Sequence, residues 1–403
     1  MKNNNVRAAL VATNSICQGD SVGTLWKNLF ALKIHIDFAH RTFKWLSDSD
    51  NMAHVHCVVV GFSRAPNPKP KKIFDGDKVI IAKNINAYLV DGEDIFVESR
   101  PNPIQDDVPQ MQFGNQPLDD KKYRFTAEEM EDFIKQEPAA QKYFHPWFGA
   151  EEFIKGKKRF CLLLKDLPLE EIKKMPLCWE RVEAVKNFRL QSKRKNTIKL
   201  AATPTRFQVE NFPQGNYLAI PQTSSERRKY IPMGFMSNSN VASEKLLIIP
   251  DATPYHFGIL ASSIHMAWMR ATCGRLKSDY SYSIGVVYNN FVWCSPTSRQ
   301  RRRIEQTAQE ILNVRAFFQG SREIGNEGNS SNATSLLHSF PNSLPQGWTF
   351  AKLYDENTMP RDLRDAHKEN DLAVALAYGF EKFVEDEARV VAELMKLYKA
   401  LTS

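Results

Sequence analysis

Residues 266–296, MAWMRATCGRLKSDYSYSIGVVYNNFVWCSP, decide how the chain reads. An amphipathic helix runs to about Cys273, and Gly274 supplies its stop. The segment from Arg275 to Ser283 then sets polar or charged residues at 277, 279, 281 and 283, with tyrosines at 280 and 282. Side chains alternate between the faces of an extended strand, so Lys277, Asp279, Ser281 and Ser283 share one face and Tyr280 and Tyr282 the other. The tyrosines can anchor in a core while the polar row faces outward. Such a row can read base edges: lysine donates to O6 and N7 of guanine, and aspartate accepts from the amino group of cytosine. Lys277 and Asp279 would then read the two halves of one G·C pair. The alternative is an ordinary solvated strand face that carries a Lys/Asp pair.

The rest of the composition is compatible with that reading without proving it. A chain of 403 residues has material for two or three domains. Its 42% hydrophobic and 25% charged content is that of a soluble globular protein. The formal net charge of +8 favours polyanionic partners, although many basic proteins bind none. The six cysteines are scattered and form no CxxC pair, which argues against a zinc ribbon or a disulfide framework and fits a reducing, cytoplasmic setting. No apolar run approaches the ~20 residues of a membrane span, and the N-terminus has no signal-peptide core.

Residues 1–62 alternate strand, helix, strand, strand, the grammar of part of an α/β sheet. Neither a Gly-rich strand–turn–helix with its following acidic residue nor an Asn-Pro-Pro-aromatic motif is present; Pro66-Asn67-Pro68 and Pro101-Asn102-Pro103 lack the second proline and the aromatic. Phe43 and Trp45 fall on one face of an extended segment and offer a π-surface for a flipped base, or close a sheet edge as core aromatics. His54 and His56 share a strand face, but no third ligand is placed near them, so a metal site is not expected. Residues 63–79, rich in proline and lysine, read as a linker. Thr126 with Glu129 three residues on is a capping box, which predicts a helix over 126–137.

Two cationic clusters suit phosphate contacts, which fix register without reading sequence. One is Lys193-Arg194-Lys195, near the end of a helical region over 169–200; the other is the loop Ser224, Ser225, Arg227, Arg228 and Lys229, with Arg275 beside the reading segment. A solvated helix end and a plain hairpin turn are the corresponding structural readings. HFGILASSIHMAWMR (256–270) reads as a packing helix, with His265 a packing residue. Arg299, Arg301, Arg302 and Arg303 open a helix to about Phe318, started by Pro296 or Thr297, and they call for an anion such as DNA, Glu305 or Glu310. Residues 319–347 are rich in Gly, Ser and Asn and read as a flexible loop.

The stretches ATNSICQGD, HRTFKW, AHVHCVVVGF, FGAEEFI, SSERRKYIPMGF and LYDENTMPRDLRDAH, with the reading segment among them, resemble the MmeI-like DNA methyltransferases. Those are single-chain type IIL restriction–modification enzymes that methylate the exocyclic amine of adenine. The resemblance runs over essentially the whole chain. It implies that the positions of Lys277 and Asp279 contact one base pair, with Ser281 at a neighbouring contact position, and that residue pairs there vary between members. It implies S-adenosylmethionine as the cofactor of a parent enzyme, with none bound by this chain, which lacks the cofactor and catalytic motifs. The expected fold is α+β: a C-terminal piece of an α/β methyltransferase sheet (1–62), a linker (63–79), a mixed target-recognition domain (80–295) and a C-terminal helical domain (296–403). The expected partners are double-stranded DNA and a missing N-terminal methyltransferase portion, with or without a nuclease, and no membrane. The chain alone is expected not to methylate; the rival expectation is a non-enzymatic structural or regulatory protein derived from such a gene.

Overall fold

The computed structural model describes residues 6–45, 55–65, 67–320 and 347–402. His54 and most of the Gly/Ser/Asn-rich stretch lie outside the described residues.

The first unit is a five-stranded sheet in the order β1-β3-β2-β4-β5, formed by β1 (Arg7–Thr13), β2 (His35–Trp45), β3 (Val55–Ser63), β4 (Lys71–Asp75) and β5 (Lys78–Ala82). Helix α1 (Ser21–Ala31) follows β1 and buries Val22 and Trp26. β3 is the buried interior strand that the apolar run HVHCVVVGF predicts; it pairs antiparallel with β1 and β2. The stretch expected to be a linker is not one throughout. Its second half folds as β4 and β5, an antiparallel hairpin that adds to β2 in parallel. The lysines there hid the alternation, since Lys71, Lys72 and Lys78 occupy strand positions while Ile73 turns into the core at 1% exposure.

The central sheet runs Tyr217–Pro221 between Gly234–Met236 and Leu246–Pro250, and Gln112–Phe113 extends its far edge. All five residues of Tyr217–Pro221 are buried, which suits an apolar strand covered on both faces. The expected helix over 256–270 is two, Pro254–Leu260 and Ser263–Thr272, because Ser262 caps the second by accepting from the His265 amide. His265 is fully buried within 2.9 Å of the Tyr282 hydroxyl, a packing role as read.

A second core fills the lobe between. It holds Arg124–Thr126, Phe144–Phe148 and Arg159–Leu162 with the helices around them. The Thr126 capping box is formed, with Ala127–Gln136 as its helix. The region over 169–200 is not one helix but three, Leu169–Lys173, Pro176–Leu190 and Lys195–Lys199. Arg189, one of its basic residues, is fully buried and donates to the carbonyls of Pro117, Leu118, Leu200, Thr203 and Arg206. It therefore stitches loops together rather than facing solvent.

Helices Ser298–Gln319, Arg361–Tyr378 and Glu387–Thr402 close the chain, with the short Phe350–Leu353 between them. Thr297 caps the first in a box with Gln300. Its arginines find anions within the protein: Arg301 meets Glu305 at 3.2 Å and Arg303 meets Glu369 at 3.1 Å. These helices lie directly on the central unit. A side chain at Gly258 would stand 2.8 Å from Ile304, and the Gly258 carbonyl accepts from Asn370 at 2.8 Å. The Asp371 carboxylate accepts from the Tyr230 hydroxyl and the Ser263 amide, both at 2.7 Å.

Candidate nucleic-acid interface

The reading segment is a hairpin. Gly274–Leu276 pairs antiparallel with Asp279–Ser281, and Thr223–Ser224 adds to the other side of the second strand. Leu276 faces Asp279, so Lys277 and Ser278 are the two-residue connection. Lys277 has a φ of +57°, the sign that the first central residue of a primed hairpin turn requires. This corrects the expected single strand over 277–283. Lys277 stands exposed at the tip rather than on the strand face of Asp279. The turn escaped notice because such turns ordinarily carry Gly, Asn or Asp where this chain has Lys-Ser. From Asp279 onward the alternation holds: Tyr280 and Tyr282 are buried, while Asp279, Ser281 and Ser283 are half-buried on the opposite side.

The cations around the hairpin are committed to protein partners more than their sequence suggested. Arg275 has a side-chain exposure of 12%; it donates to the Ser278 carbonyl at 2.7 Å, lies 4.4 Å over the Tyr280 ring and approaches Glu226 at 3.6 Å. It shapes the turn from inside, so the expected phosphate contact is corrected. Ser224 is 2% exposed, because its strand pairs with Tyr280, and it offers no hydroxyl to a phosphate. Ser225 forms the next turn, its carbonyl accepting from the Arg228 amide at 3.1 Å. Arg227 reaches Asp355 at 2.6 Å, and exposed Lys229 lies 5.3 Å over the Tyr230 ring. Burial pushes the Arg228 guanidinium down from its usual value, against the pull of Asp279 and Asp355.

Glu226, a lone acid inside this basic loop, was missed by sequence reasoning; the sign reversal in SSERRKY is the signal that could have found it. Its carboxylate lies 2.8 Å from Lys44 Nζ and 2.9 Å from His56 Nε2. Burial alone would raise the Glu226 carboxyl, but Lys44, His56 and Arg275 outweigh it and hold the group below its usual range. Burial lowers His56, and the charge of Glu226 opposes that shift.

Phe43 and Trp45 end β2 on one face, with ring centroids 6.3 Å apart and planes tilted by 44°. Phe43 is half-buried and Trp45 is 51% exposed, which leaves a π-surface open at the sheet end. Lys193, Arg194 and Lys195 are all exposed, in the break between two helices of the second lobe. Arg194 and Lys195 line a hollow of about 550 Å³ with Asn196, Thr197, Gln116 and Gln208, a polar, cationic lining. Among the described residues no group of three or more His, Cys, Asp or Glu side chains could hold a metal, and no helix is long and apolar enough to cross a membrane.

Family models match the chain in three consecutive blocks: the MmeI DNA-methyltransferase domain over residues 1–75, the MmeI target recognition domain over 91–295 and the MmeI C-terminal domain over 339–403. The matched blocks are those of a DNA methyltransferase with a target recognition domain. The chain belongs to the MmeI family of restriction–modification methyltransferases. DNA methyltransferase A of Bacillus subtilis (strain 168) is 38% identical over 398 residues, which span 99% of this chain and 42% of that protein. The solved structure of the type IIL restriction–modification enzyme MmeI in complex with DNA is 40% identical, with a TM-score of 0.85 over 100% of this chain and 50% of its own. The chain thus spans half or less of the length of these relatives. The α+β architecture read from the sequence agrees with that match.

Proposed function

We propose that this chain reads a short sequence in double-stranded DNA on behalf of an S-adenosylmethionine-dependent adenine methyltransferase of the restriction–modification type. The hairpin carries the reading: exposed Lys277 at its tip, Asp279 and Ser281 on its open face, Tyr280 and Tyr282 anchored beneath. A two-stranded ribbon of this kind fits the major groove of B-DNA, where donor and acceptor patterns distinguish all four base pairs. Lys277, as donor to guanine, and Asp279, as acceptor from cytosine, select one G·C pair, with Ser281 at a neighbouring position. Arg227, Arg228, Lys229 and the Lys193-Arg194-Lys195 cluster supply affinity from phosphates. Phe43 and Trp45 form one wall against which the extruded adenine lies.

We read no S-adenosylmethionine site in this chain, because its sequence has neither a Gly-rich strand–turn–helix nor an Asn-Pro-Pro-aromatic motif. The segment between β1 and α1 packs into the protein: the Gly19 amide donates to the Thr272 carbonyl at 3.0 Å. A Cβ at Gly19 would stand 3.4 Å from the Gly274 backbone. Methyl transfer is therefore assigned to the longer enzyme, and this chain should bind no S-adenosylmethionine in equilibrium dialysis. The decisive experiment selects duplexes from a randomised library at two salt concentrations. Enrichment of a motif with a fixed G·C pair, lost in Lys277→Ala, supports the reading. Equal weakening of cognate and random duplexes by Lys277→Ala overturns it.

A further inference from the structure

The reading hairpin is tied to the first unit at its root and at its side. At its root, the Gly19 amide donates to Thr272 at 3.0 Å and Gln18 Nε2 to the Arg270 carbonyl at 3.3 Å. At its side stands Glu226, between Lys44 and His56 of the sheet and Arg275 of the hairpin. Lys44 is the residue between Phe43 and Trp45, and His56 pairs with Lys44 across β2 and β3. Arg275 in turn holds the hairpin tip through the Ser278 carbonyl. A continuous path therefore runs from the aromatic pair at the end of β2, through one carboxylate, to the residue beside Lys277.

We propose that Glu226 is a positioning residue that sets where the reading hairpin stands relative to the aromatic wall, and so couples base-pair choice to placement of the target base. The assignment of roles to the two ends rests on the function proposed above; the mechanical coupling does not. Glu226 touches no base in this scheme. A carboxylate is suited to the task because its two oxygens accept from both sides at once, Oε1 from Lys44 and Oε2 from His56, while its charge also faces Arg275 at 3.6 Å. Its side chain is 19% exposed, and those of His56 and Arg275 are 7% and 12% exposed, so that side of the bridge is shielded from salt more than a surface pair, while the Lys44 side, 54% exposed, is not. Glutamine keeps the shape but turns one acceptor into a donor facing cations, so Glu226→Gln separates charge from packing.

The test uses the full chain with two readouts. The first, without DNA, is hydrogen exchange of the amides of residues 274–281. Glu226→Gln and Lys44→Met each raise it roughly tenfold there and leave the strand Tyr217–Pro221 unchanged, and the double variant adds little beyond either single one, since both cut one path. The second is discrimination between the selected duplex and the same duplex with the read G·C pair exchanged. Glu226→Gln lowers that ratio about tenfold, with affinity for random DNA unchanged or slightly raised by loss of a negative charge. Unchanged hairpin exchange in Glu226→Gln, or exchange effects of the two substitutions that simply add, overturns the coupling. Raised exchange in a protein whose wild type discriminates between no duplexes upholds the coupling and removes the recognition role instead.

Discussion

The first sheet and the central sheet are made from similar apolar runs, yet they are finished differently. Every residue of Tyr217–Pro221 is buried, and Leu246–Ile249 beside it are all fully so. On the first sheet the outer strands stand open, with Leu10 59% exposed on β1 and Ile81 61% on β5. The central sheet is covered by the C-terminal helices, and its strands lie in the middle of the buried core. The first sheet leaves apolar surface uncovered, and local openings cost less where few apolar contacts are lost. The Glu226 bridge spans these two regimes, joining a firmly packed reader to a less enclosed neighbour.

That contrast can be broken by substitution. Ile248→Ala, in the heart of the central sheet, should cost about 2–5 kcal/mol, whereas Ile81→Ala should stay within about 0.5 kcal/mol. Urea midpoints of the two variants decide it, and similar shifts would erase the distinction.

Acid should act on the same side. Burial holds His265 and His367 neutral, pushed down to about 3, and burial with Arg301 pushes His256 to about 4. Unfolding frees these groups to take up protons below their ordinary 6.5, so the stability they contribute is present above that pH and is lost as it falls. Asp371 works the other way: burial raises it to about 6, and its contribution is fullest below its ordinary 3.8 and fades as pH rises through 6. The histidines outnumber it. Thermal melts should lose on the order of 2–4 kcal/mol between about pH 6.5 and pH 5, and Asp371→Asn should steepen that loss. A flat profile would show that the central unit is not the part that limits stability.

Smaller effects sharpen the hairpin. Lys277→Ala should cost about 1–3 kcal/mol of discrimination at one base pair with the melting temperature nearly unchanged. Lys277→Gly should lose the same discrimination but gain a few tenths of a kcal/mol in stability, since glycine carries no Cβ penalty at φ +57°. A Gly variant that is less stable than Ala would mean that the Lys277 side chain packs in the free protein.

Local signals proved legible. The Thr126 cap starts a helix where the hydroxyl and Glu129 three residues on announce it, and of the two starts offered at Pro296 and Thr297 the structure takes Thr297. Tyr280 and Tyr282 point inward as period two requires. The errors arose where a distant partner decides. Lysines 71, 72 and 78 suggested a solvated linker, but β2 offered an edge for β4 to pair with, and β5 pairs in turn with β4. Arg275, Ser224 and Arg189 looked free until tertiary packing buried them.

The sequence by itself determined the alternation, the caps, the α+β class and the residues with chemistry suited to bases and phosphates, because these depend on side-chain type and near neighbours along the chain. Tertiary structure decided that Lys277 is a turn residue, that Arg275 faces inward and that Glu226 lies between two units. Those outcomes depend on which strand pairs with which and on where opposite charges meet, and contacts between residues 44, 56, 226 and 275 leave no periodic trace.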